Sequence, residues 1–559
     1  MKTRYNYDHY YKYDEITEVL SAWAEEAEGF FRMQSIGVTP KGRNIWMAEL
    51  TDTSVGDFAD KPGFALDGNV HAGEVTGSMA CMYFIDVLLT NRDDPQIAEL
   101  LKKYTVYCVP RIAVDGSEFY LTTPYTVRSS DRLFPFAEEQ EGIQPEDLDG
   151  DGVIRRMRVK NPNGSFRISP EDPRRMIRRQ PDETDGDFYD VFSEGILKGE
   201  PIEAMPAPER YQEDFNRNFP GWWGVGGRGG AYGLSAPETR AFASFLHEHR
   251  NICTCLNFHT HGGMYLYPPA FETRREASKE DMDRYKAIGK ICTKETGYPF
   301  VNLRDEYIVS RPVGGSIDDF CHFVLGIVSF TCECWDIEAR CGYPNEFPSK
   351  TEPDEERMIA MDAARLKWID EENGGEGWKD WTVFEHPQLG TVEIGGIDNK
   401  HVIQNPPAKF LEQEIEKHTR FMLREMKLLP RLEVRSLKSK KLGGCYEVTA
   451  EVANAGWLPT NVTAEAVKIG SLKPVRAELC GAEVIGEAVI DIGQLAGYSH
   501  SGTLGSGRGG TTLNHAPQSR TLKYVVKAEA GTAVTLQVTS ERAGCITKTL
   551  ILGGEEEAA

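Results

Sequence analysis

Four short segments carry residues whose types and spacing suit chemistry. The run ALDGNVHAGE ends in His71 and Glu74. A His and a Glu three residues apart, just past a turn, can converge on one point. Imidazole with carboxylate suits zinc, which in catalytic sites takes three protein ligands and keeps a fourth position open. Alone, H-x-x-E arises often by chance. In LNFHTHGG, His259 follows an apolar run; it is either a further ligand or a histidine opening a surface loop, and His261 competes with it. In SFTCECW, Glu333 ends another apolar run and is either a strand-end charge in water or a placed base. DFNRNFPGWW holds Asn216 and Arg217. This pair either caps a loop or grips a carboxylate through the planar two-donor fork that Lys lacks.

These residues matter only if the elements around them bring them together. Ile16, Val19, Leu20, Trp23 and Ala27 share one helical face. Apolar runs at 44–50, 64–67, 105–109, 252–258 and 327–332 read as strands, and helical patterns at 78–89 and 237–249 alternate with them. That alternation argues for an α/β unit with a mixed, largely parallel central sheet flanked by helices. His71, His259 and Glu333 then fall just past the carboxyl ends of strands, where open α/β sheets place their sites. The polar stretch 137–210, rich in Asp, Arg, Pro and Gly, reads as an insertion folded over the surface. An amphipathic helix near 411–428 stops at Pro430. Beyond it, alternating runs such as YEVTAEV and AVTLQV predict a C-terminal β-sandwich of Ig-like type with an acidic tail. The division expected is therefore 1–430 for the catalytic unit and 431–559 for the sandwich.

Bulk properties narrow the function. The chain has 559 residues, room for two to four domains at about 150 residues each. A formal charge of −23 argues against a nucleic-acid partner, because phosphate binding needs a basic face. The longest apolar runs, such as MACMYFI, fall far short of the roughly 20 residues that span a bilayer. The start, MKTRYNYDHYYKYDE, lacks the apolar core and cleavage site of an export signal. A cytoplasmic protein is expected, with an unusual export route left open. Twelve cysteines sit largely in apolar stretches such as CTCLNF and FTCECW, and are expected as reduced, buried small hydrophobes.

In order along the chain, HxxE, DG…R, NRNF, FH, GGSID and FTxE resemble the M14 zinc carboxypeptidases, the carboxypeptidase A group, over about residues 5–430. The resemblance implies one zinc per chain, held by His71, Glu74 and His259, and hydrolysis of the last bond of peptides with a free C-terminus. It implies Glu333 as general base, Arg128 as the oxyanion-stabilising arginine after Val114-Asp115-Gly116, and Asn216 with Arg217 on the substrate's terminal carboxylate. Ile317, in GGSID, stands where the family often sets side-chain preference, which implies release of neutral or hydrophobic residues. One element departs: the place of the family's closing tyrosine is Ser310, with Tyr307 nearby. No family-like propeptide precedes the pattern, so activity without proteolytic activation is expected.

Other signals are weaker. DLDGDG offers Asp147, Asp149 and Asp151 to a calcium ion, but the twelfth position is Arg158, which excludes an EF-hand. A solvated Asp/Gly turn is the preferred reading over structural calcium. GVGGRGG follows no strand and opens no helix, which argues against dinucleotide binding. Two other functions compete. One is a related zinc amidohydrolase, an N-acyl amino-acid deacylase or cell-wall peptide amidase. The other is a non-catalytic binding protein of the same fold, against which stands the complete set of ligands and base.

Overall fold

A computed structural model describes residues 1–200, 204–271, 277–309, 313–350, 354–499 and 517–553. The apolar runs pair into one eight-stranded sheet: β1 (Phe31–Val38), β2 (Asn44–Leu50), β3 (Gly63–Gly68), β4 (Thr105–Val109), β5 (Ile252–Thr260), β6 (Met264–Tyr267), β7 (Phe300–Asn302) and β8 (Val328–Cys334). Their order is β1-β2-β4-β3-β5-β8-β6-β7. The middle four strands, β4-β3-β5-β8, are mutually parallel, while β1, β2 and β6 pair antiparallel to their inner neighbours. The sheet is thus mixed with a parallel centre. β3, β4 and β5 are buried along their whole length, as expected of parallel strands covered on both faces.

Helices cover each face. The helices α1 (Tyr13–Glu26), α2 (Thr76–Thr90), α4 (Lys279–Thr296) and α5 (Ala408–Glu425) share a core with Leu66, Phe258 and Phe330. On the other face, α3 (Pro237–Glu248) packs Phe242 and Phe245 with Ala65, Tyr107 and Cys255. All twelve cysteines are free thiols, eight of them buried. Among the described residues no helix is long and apolar enough to cross a membrane.

The stretch 137–210 is more than a surface wrap. Its strands Arg156–Lys160, Phe166–Ile168, Met176–Arg178 and Tyr189–Ser193 join Trp378–His386 and Gly390–Ile397 in a six-stranded antiparallel sheet. Ile143, Met157, Phe192, Val392 and Ile394 form its small core. Beyond Pro430, two four-stranded antiparallel sheets enclose Val448, Tyr524, Leu536 and Val538, a β-sandwich. Arg542 ties it to the first unit by donating to the carbonyls of Leu325 and Gly326. The acidic tail lies outside the described residues.

One glycine positions the site. Gly116 lies in the helix Val114–Thr122, where an added Cβ would meet the Ser129 carbonyl oxygen at 2.2 Å and the Ala72 Cβ at 2.9 Å. Only a residue without a Cβ lets this helix lie against both the His71 loop and the segment carrying Arg128. Gly116→Ala should therefore lower stability by about 1–3 kcal/mol through overpacking, read from chemical denaturation. An unchanged midpoint would show that the contact yields freely.

Candidate metal centre

The site is assembled at the carboxyl ends of β3, β5 and β8. After β3 the chain turns at Asn69, whose φ of 55° lies in the left-handed region that Asn tolerates. Its Nδ2 donates to the carbonyls of His71 and Ala72. Ala72 N–H donates in turn to the Arg128 carbonyl. This stitching turns His71 and Glu74 back toward the sheet. β5 and β8 run longer than their apolar runs suggest, so that His259 and Glu333 lie within the strands and stand opposite one another in parallel register.

Three buried donors converge. His71 Nδ1 lies 2.9 Å from Glu74 Oε1 and 3.0 Å from His259 Nδ1, and His259 Nδ1 lies 2.8 Å from Glu74 Oε2. That last contact is out of line for a hydrogen bond, leaving Glu74 Oε2 without a donor among the described residues. Burial alone would lower the His259 pKa, but the facing Glu74 carboxylate raises it to about 9. A tetrahedral zinc with nitrogen and oxygen ligands at about 2.0–2.1 Å needs them roughly 3.3 Å apart. Two imidazole nitrogens and an orphaned carboxylate oxygen gathered around one point fit such an ion. His261, by contrast, is exposed.

Asp214 is the residue that the motif search missed. Its Oδ1 lies 3.0 Å from His71 Nε2, and its Oδ2 accepts from Arg128 Nε at 3.0 Å. A carboxylate on the outer nitrogen of a ligand histidine fixes its orientation and tautomer. Burial would raise its pKa, yet Arg128, His71 and Arg217 hold it well below the usual carboxylate range. Its signal in the sequence is its place at the start of the DFNRNF run, two residues before Asn216.

A cavity of about 470 Å³ opens on these groups, lined by His71, His259, Glu333, Arg128, Asn216 and Arg217 among others. Burial pushes the Glu333 carboxyl well above its ordinary value, against the opposing pull of His259. Asn216 Oδ1 accepts from Ile317 N–H, and Arg217 donates to the Asn216 carbonyl. Tyr307 is half-buried and lines the cavity; Ser310 lies outside the described residues. Ile317 does not line the cavity. The turn that begins at Ser316 sends it into the core with Phe320 and Leu325, and brings Asp318 to the cavity instead. The apolar walls are Leu266, Ala270, Leu303 and Val313.

At the calcium candidate, Lys379 Nζ sits 2.6 Å from Asp149 and 2.7 Å from Asp151, while Asp147 accepts from the N–H groups of Gly150 and Gly152. A lysine ammonium and backbone donors satisfy the cluster, so nothing here calls for calcium.

His71→Ala and His259→Ala should each lose the zinc of this centre in a metal assay, whereas His261→Ala should retain it. Asp214→Asn should weaken zinc affinity by about 10–100-fold. Equal metal loss on changing His261 would overturn the ligand set.

Comparison with known proteins places the chain in a family. Residues 16–358 match the model of the peptidase M14 family, described as zinc carboxypeptidase, and residues 431–551 match a domain of unknown function. Carboxypeptidase A6 of Homo sapiens is 24% identical over 301 residues, covering 53% of this chain and 51% of the relative. Zinc carboxypeptidase A 1 of Drosophila melanogaster is 32% identical over 124 residues, 22% of this chain and 28% of the relative. The chain spans about half the length of the curated relatives it matches first. Among solved structures, the carboxypeptidase A from Helicoverpa armigera is 16% identical, covers 66% of this chain and 74% of that one, and has a TM-score of 0.41. With more than half of its residues matching the family model, the chain belongs to the M14 zinc carboxypeptidase family.

Proposed function

We propose that this protein is a zinc metallocarboxypeptidase that hydrolyses the C-terminal bond of peptides with a free α-carboxylate and releases neutral or hydrophobic residues. The observation that carries the reading is the shared cavity: a carboxylate base, two arginines and the two metal-ligating histidines line one space sized for a terminal residue. His71, Glu74 and His259 would hold the zinc. When bound, it supplies Lewis-acid polarisation and stabilises negative charge on oxygen.

The remaining roles fall to side chains of this chain. Glu333 takes the proton from the attacking water and returns it to the departing amine. Arg128, held by Asp214, faces the oxygen on which charge develops; a comparable donor contributes about 3–4 kcal/mol. Arg217, with Asn216, holds the substrate's carboxylate, and Tyr307 closes over it. The apolar walls, in place of Ile317, set the preference for the released side chain.

Glu333→Gln should keep zinc and lose about 10²–10⁴-fold in turnover. A variant purified without zinc at the His71–Glu74–His259 centre would make Glu333 a ligand rather than a base.

The free carboxylate gives the second test. Charge-assisted hydrogen bonds are worth roughly 1.5–3 kcal/mol each, so the free-acid peptide should be preferred over its amide by at least about a hundredfold. Arg217→Ala should abolish that preference and Arg217→Lys restore it in part, because a point charge lacks the fork. Equal cleavage of acid and amide by the wild type would favour the amidohydrolase reading.

A further inference from the structure

The strand that carries Glu333 has a second set of donors on its other face. Residues alternate across a strand, so Cys332 and Cys334 point away from the cavity, toward α5 and β6. Their Sγ atoms are 3.6 Å apart. His418, on α5, reaches the same point: Cys332 Sγ lies 3.7 Å from its Nδ1 and 4.0 Å from its Nε2. The donor atoms of Cys332, Cys334 and His418 all lie within 4.8 Å of one another. Tyr265, paired with Cys332 across the sheet, places its hydroxyl 2.9 Å from His418 Nδ1.

These distances approach those of a closed tetrahedral site. With Zn–S at about 2.3 Å and Zn–N at about 2.0–2.1 Å, donors stand roughly 3.8 Å apart for two sulfurs and about 3.6 Å for sulfur and nitrogen. The outer shell matches as well. Glu414 Oε1 lies 3.5 Å from His418 Nε2, the place where a ligand histidine keeps its carboxylate partner. Glu414 is itself fixed by Tyr298 Oη at 2.5 Å and Trp335 N–H at 3.0 Å. Thiolate-rich donor sets select zinc or other soft ions over hard ones.

We propose that Cys332, Cys334 and His418, with the Tyr265 hydroxyl in the fourth place, form a second, structural site for a zinc-class ion. The ion would pin α5 to β8 directly behind Glu333. All four residues are buried, so the site has no open position and would load as the chain folds. This assignment is independent of the catalytic reading.

Metal counting and cobalt substitution test it. Zinc-loaded protein should hold two ions per chain: one removed by chelator from the native protein, the other released only on unfolding. Protein refolded with cobalt should show the near-ultraviolet charge-transfer absorption of thiolate ligation, which the His71–Glu74–His259 set cannot give. That band should persist in His259→Ala and be strongly diminished in Cys334→Ser. Should Cys334→Ser fail to fold, the wild-type cobalt spectrum still decides. A single ion per chain at zinc saturation, or cobalt protein without a thiolate band, would overturn the site. So would mass spectrometry showing a Cys332–Cys334 disulfide in protein kept under reductant.

Discussion

Everything at the site depends on three electron-rich groups being forced together out of water. His71 Nδ1 and His259 Nδ1 stand 3.0 Å apart with the Glu74 carboxylate against both. Two imidazole nitrogens can share one proton, and one oxygen of Glu74 still has no donor among the described residues. Buried polar groups left unmatched cost several kcal/mol, so a protein tolerates this arrangement only where a cation completes it. The surrounding structure is what holds the groups in place. Asn69 accepts the left-handed turn, the parallel register sets His259 beside Glu333, and Asp214 grips the outer nitrogen of His71. Removing any one of these would let the donors relax apart and satisfy themselves locally.

Asp214 also links the two halves of the cavity. One carboxylate oxygen faces the histidine and the other accepts from Arg128. The arginine is thereby held in one orientation, and its charge is partly balanced by a buried carboxylate. Preorganised donors of this kind need no reorganisation at the moment of reaction, which is the source of their catalytic value.

Much of this was legible in the sequence. Strand 105–109 falls where its apolar run places it, because a parallel strand buried on both faces has no other composition available. The motifs point to His71, Glu74, His259, Asn216, Arg217 and Glu333, the family resemblance adds Arg128, and the fold brings them to one place. What was not legible depends on contacts distant in sequence. The stretch 137–210 looked like a surface wrap because its partner strands, Trp378–His386 and Gly390–Ile397, lie far downstream and its few apolar residues show little periodicity. Lys379 neutralises Asp149 and Asp151 from the same distance. Ile317 was assigned by its place in GGSID, but a helical turn rotates successive residues by about 100°, and that rotation exchanges Ile317 for Asp318 at the cavity wall.

The overall charge of −23 bears on the field that the cavity presents. At physiological ionic strength the Debye length is about 8 Å, so the repulsion of distant surface acids is largely screened before contact. Within the cavity the balance is local. Arg128 and Arg217 face the solvent-accessible space, while their counter-charge Asp214 is buried behind them. Glu333 and Asp318 line the same space, so the two guanidinium groups share it with carboxyl groups at short range. Low-dielectric walls such as Leu266 and Val313 strengthen that near field. The field inside the cavity is thus set by these few groups at short range rather than by the acidic exterior.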